Sequence, residues 1–143
     1  MPANQQTSDG LKYGPTANGK RYLSVFKHRG NGSTKHKNIW CISPDIEYEI
    51  FCNSDKHNLI DTSKNYWGVL NNGKEKLGVK GERLSKFPYT SNTQDPWHGY
   101  PVSPVEERKR NALPSNFDLL IEQWIKDEII TKEIGRKIQK EKI

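Results

Sequence analysis

Between Phe117 and Ile138 apolar residues recur at helical spacing along one face, which limits the possible folds more than any other stretch. Phe117, Leu120, Ile121, Trp124 and Ile125 fall at i, i+3, i+4, i+7 and i+8, lining one face of a helix. Ser115-Asn116-Phe117-Asp118, just after Pro114, has capping-box spacing, with Asp where Glu is commoner. Asp127 and Glu128 break the stripe, Thr131 can cap a second helix, and Ile130, Ile134 and Ile138 line that one. Its basic end (Arg136, Lys137, Lys140, Lys142) suits a helix C-terminus. Two such helices need another layer to cover their apolar faces.

The layer is expected upstream, where strand signals alternate with turn chemistry. Residues 21–26 are aromatic and β-branched, 29–33 are turn-forming, and 38–42 read as the returning strand. After the Ser43-Pro44-Asp45 turn, Ile46, Tyr48, Ile50 and Cys52 share one face, with the acidic Glu47 and Glu49 on the other, predicting a half-buried strand. Residues 53–65 read as loop. Strands are predicted at 66–70 and 76–80 around Asn71-Asn72-Gly73, a tight-turn signal. Pro88, Pro96, Pro101 and Pro104 predict an extended loop, and the charged run 106–110 a short helix. The chain therefore reads as α+β. Residues 1–19 form a flexible N-terminal tail, and 20–143 form a single domain suited to a 143-residue chain. Within it, residues 20–86 are a β-meander giving a twisted antiparallel sheet of four to five strands. Residues 87–105 are a Pro-rich loop, and 115–143 a helical hairpin packed on the sheet.

The opening MPANQQTSDG has neither the basic nor the apolar region of a secretory signal, and no apolar run approaches the roughly 20 residues of a membrane span. Cys41 and Cys52 lie in apolar segments and read as buried thiols. A cytoplasmic location and no membrane partner are expected.

Charge points to the partner. From Leu11 to Pro44 there is no acid, while Lys12, Lys20, Arg21, Lys27, Arg29, Lys35 and Lys37 supply seven positive charges. The whole chain carries only +6, so this segment holds the entire positive excess. Charge gathered on one element attracts polyanions. Residues 20–37 are expected to form a hairpin that binds RNA or single-stranded nucleic acid. Lys20, Arg21, Lys27, Arg29, Lys35, His36 and Lys37 would contact phosphate, and Tyr22, Phe26 and Trp40 lie near enough in sequence to stack on bases. A second cluster, 95–101, sets Trp97, His98 and Tyr100 around Gly99, and Trp97 and Tyr100 join the proposed interface.

Two alternatives remain open in the sequence. One is a metal-independent ribonuclease, of toxin type, with His28, His36 and His98 as acid and base candidates and Arg29 or Lys35 stabilising phosphorane charge. The other is an accessory or immunity-type protein whose basic patch docks on an acidic protein. No cofactor or metal is expected, because His28, His36, Cys41, Cys52 and His57 lack zinc-site spacing. The glycines of 19–32 match neither a Walker loop nor a dinucleotide fingerprint.

Overall fold

The computed structural model describes residues 4–29, 38–90 and 96–142. Its middle layer is an antiparallel sheet of β4 (Tyr66–Gly68), β5 (Leu84–Phe87) and β6 (Tyr100–Val102), in that order. Tyr66 pairs with Phe87 and Gly68 with Ser85, while Trp67 pairs with Lys86 and Leu84 with Val102. Alternation sends these pairs to opposite faces, and both faces are covered. Tyr66 and Phe87 join a core with Tyr22, Tyr48, Ile50, Phe51 and Trp97. Trp67, Leu84 and Val102 join the other, with Phe117, Ile121, Trp124, Ile134 and Ile138. The second core is the apolar stripe of α3 (Phe117–Lys126) and α4 (Lys132–Gln139) laid on the sheet, with Thr131 capping α4 by accepting from the Ile134 N–H. A short helix, α2 (Pro104–Lys109), follows β6.

On the opposite side lie helix α1 (Pro44–Lys56) and a second sheet of β1 (Gln5–Gln6), β2 (Gly10–Tyr13) and β3 (Tyr22–Val25). The chain is thus α+β, but its six described strands form two three-stranded sheets in place of one sheet of four to five. Strands occupy 5–6 and 10–13, where a tail is expected. The Pro-rich 87–105 region is not a continuous loop, since it contains β6 and the start of α2.

The meander expected over 20–86 is interrupted by α1, which replaces the strand predicted at 46–52. Ser43 caps this helix by accepting from the Ile46 N–H at 3.3 Å, and Pro44 occupies its first turn with Asp45 and Glu47. All suit a helix N-terminus. Buried Glu47, Tyr48, Ile50, Phe51, Ser54 and Asp55 then follow helical spacing. The strands expected at 38–42 and 76–80 reduce to one bridge, between Trp40 and Gly78. Asn71 and Asn72 do make a tight turn, with φ of 52° and 58°. The first helix of the hairpin begins at Asn116, whose side chain makes no capping bond, in place of Ser115. Cys41 is exposed and Cys52 half-buried, both as free thiols, in place of two buried ones. Among the described residues no helix is long and apolar enough to cross a membrane.

Candidate nucleic-acid interface

The β1–β3 sheet has an inner and an outer face. Tyr22 and Ser24 point inward and donate hydrogen bonds to Glu47 of α1, and Tyr13 stacks on Tyr48. Alternation therefore puts Arg21, Leu23 and Lys12 outward, with Lys12 opposite Leu23 across β2–β3 and opposite Gln5 across β1–β2. Lys12 and Arg21 are exposed, and Leu23 is half-buried. Residues 96–98 run beside β3, where the Leu23 N–H donates to the Trp97 carbonyl at 2.7 Å and the Trp97 N–H to the Arg21 carbonyl at 2.8 Å. The segments around the two sequence clusters, 20–29 and 96–101, are thus brought together.

Two of the expected phosphate-binding cations are engaged elsewhere. Lys20 Nζ lies 2.8 Å from Asp55 Oδ1 of α1, beside the Thr16 hydroxyl, which donates to Asp55 Oδ2. Arg29 reaches inward, donating to Ser24 Oγ, the Ile42 carbonyl and Glu47 Oε1, the last at 2.5 Å. Burial drives the Glu47 carboxyl above its ordinary range even though Arg29, Tyr22 and Ser24 pull the other way. At Asp55 burial also raises the carboxyl, but the bonds from Lys20 and Thr16 outweigh it, and the net shift is down. Both carboxylates come from the segment read as strand and loop, so folding neutralises cations that the sequence leaves free.

The other predicted residues divide similarly. Trp97 is a core residue, ringed by Phe51, Tyr66 and Tyr89, and Tyr22 and Trp40 are buried. Tyr100 is half-buried against the His28 ring, 5.2 Å between centroids. His28 is itself buried, with Nδ1 2.9 Å from the Asn38 carbonyl. His98 is half-buried, and burial, with the nearby Lys27 ammonium, holds its imidazole below the ordinary value. Lys27 is exposed. Lys35, His36 and Lys37, with the rest of the expected hairpin tip, lie outside the described residues. Of the two stabilising cations expected for the ribonuclease grouping, the Arg29 guanidinium is taken up by Glu47, Ser24 and Ile42, and Lys35 is outside the described residues. Among the described residues no three His, Cys, Asp or Glu side chains are placed to hold a metal ion.

What the sequence reading missed is a cleft of about 250 Å³ at the loop end of the β2–β3 hairpin. Gln5, Lys12, Tyr13, Pro15, Arg21 and Pro96 line it, and none of its described lining residues is acidic. Among the described residues neither Lys12 nor Arg21 has a carboxylate partner. Lys12 stood in the acid-free run, but only the antiparallel pairing of a strand hidden in polar sequence sets it on the same face as Arg21. The chain matches no protein-family model, no curated protein and no solved structure.

Proposed function

We propose that this chain binds a polyanion, RNA or single-stranded nucleic acid, through the outer face of the β1–β3 sheet. The observation that carries the reading is the exposed pair Lys12 and Arg21 at a cleft with no acid among its described lining residues. Lys27, exposed beyond β3, extends the positive face toward His98. Half-buried Leu23 supplies apolar surface beside the cations. Phosphate contacts provide affinity without sequence choice. The two free thiols suit a reducing compartment, so the cytosol is the place we propose for it.

Binding to a labelled single-stranded oligonucleotide, read by fluorescence anisotropy at about 50 and 200 mM salt, tests this. Affinity is expected to fall steeply with salt. Removing Lys12 and Arg21 together should flatten the log–log slope by about 1.4, at roughly 0.7 per phosphate contact on single strands. Affinity that ignores salt, or an unchanged slope in Lys12→Ala/Arg21→Ala, overturns the proposal.

A further inference from the structure

We infer that the cleft between Lys12 and Arg21 takes a phosphate monoester on a nucleotide, such as a strand's terminal phosphate, in preference to the diester backbone. The inference rests on the polyanion reading above and narrows it. Tracking a backbone requires cations in series, whereas here Lys20 and Arg29 are withdrawn into pairs with Asp55 and Glu47. What remains at the cleft is two cations in one lining. Lys12 lies opposite Leu23, so Arg21 is its diagonal neighbour on the same face, roughly 7–8 Å away along the backbone.

Two adjacent cations with no acid among the described lining residues complement a dianion better than a monoanion. A phosphate monoester carries about −1.5 to −2 near neutral pH, against a single charge on a diester. Arg21 offers a planar fork for two oxygens and Lys12 a mobile point charge. The Pro15 and Pro96 rings in the lining offer apolar surface to a base or ribose, and the exposed Gln5 amide can both donate and accept. Size agrees. At about 250 Å³ the cleft falls just under the ~300–1,000 Å³ of drug-sized pockets, room for one nucleotide and too little for a duplex.

The test uses the full chain and one single-stranded RNA, labelled at its 3′ end, with either a phosphate or a hydroxyl at its 5′ end. The phosphorylated strand is expected to bind about tenfold tighter, a gap of one decade in Kd. Arg21→Ala and Lys12→Ala should each shrink that gap, while Lys132→Ala on exposed α4 preserves it. The gap should also narrow as pH falls through about 6, where the monoester takes up its second proton. Nucleoside monophosphate and inorganic phosphate are the competitors. Displacement by the nucleotide makes the free monoester sufficient, and displacement only by a phosphorylated strand assigns the site to strand ends. Equal affinity for the two ends overturns the inference, yet leaves the wider reading standing if binding is still salt-dependent. Absence of binding by either strand at low salt overturns both.

Discussion

Removing Glu47 from water costs several kcal/mol unless each of its oxygens is bonded, and here they are. Tyr22 donates to Oε2, and Ser24 and Arg29 to Oε1, around a side chain with no solvent exposure. Arg29→Ala is therefore expected to strand a buried charge and lower stability by about 3–5 kcal/mol, measured by urea unfolding. The double variant with Glu47→Met should lose less than the two single losses added, because neither charge is then left alone. Lys12→Ala, on an exposed side chain with no described partner, is expected to stay within about 0.5 kcal/mol of the parent. A large loss there would assign Lys12 to the fold. Asp55 provides a pH signature of opposite sign from that of Glu47. Its folded carboxyl sits below the ordinary value of 3.8, so the stabilisation it contributes is present above that value. It is lost as pH falls through the lower folded value. In Asp55→Asn that part of the acid limb should vanish, seen as a flatter fall of urea midpoint below pH ~4. Glu47, held above its ordinary value by burial, instead favours the fold as it takes up a proton.

Elements explain how much the sequence could reveal. The apolar stripes of α3 and α4 are long, so their period is unambiguous, and the Thr131 cap stands where its residue type places it. The strands at 22–25 and 66–68 show their aromatic and β-branched signal. Helix α1 does not, because over the seven residues 46–52 Ile46, Tyr48, Ile50 and Cys52 fit an alternating pattern while Glu47, Ile50 and Phe51, all buried, fit a helical one. The start signal decides between them, since Ser43 and Pro44 favour a helix N-terminus over a β-turn. Ser43→Ala is expected to cost about 1 kcal/mol, comparable with Thr131→Ala, in urea unfolding. No loss from Ser43→Ala would remove the cap as the reason for the helix. β1 escaped notice because Gln5 and Gln6 are exposed and held by backbone pairing, which leaves no apolar imprint, and β2 because Leu11 and Tyr13 on either side of Lys12 are too short an alternation to stand out. The site was legible in part for the same reason. An acid-free run can be read directly, but which of its cations stay free depends on where α1 carries Glu47 and Asp55. At the helix–sheet contact itself, a Cβ on Gly68 would lie 2.5 Å from Ile50 Cγ2 and 2.8 Å from Ser54 Oγ.

At the scale of the molecule, the β4–β5–β6 sheet belongs to both cores, and neither side layer can leave without exposing it. Loss of the α3–α4 hairpin would open Trp67, Leu84 and Val102 to water, while loss of α1 and the β1–β3 sheet would open Tyr66 and Phe87. Each exposed side chain costs about 1.5–3 kcal/mol, a large share of the ~5–15 kcal/mol that holds a domain together. Unfolding should accordingly be one cooperative transition. The four tryptophans report on this without mutation, because Trp40 and Trp97 lie in one core and Trp67 and Trp124 in the other. Their indole N–H signals, followed by NMR through a urea titration, are expected to disappear with a common midpoint. Gly68→Ala, which pushes β4 away from α1, should move all four midpoints down together, by about 1–3 kcal/mol in stability. If Trp67 and Trp124 melted before Trp40 and Trp97, the helical hairpin would be a separate folding unit. The sheet that carries Lys12 and Arg21 would then stand on the α1 core alone, and binding at the cleft should survive urea concentrations that already unfold the hairpin.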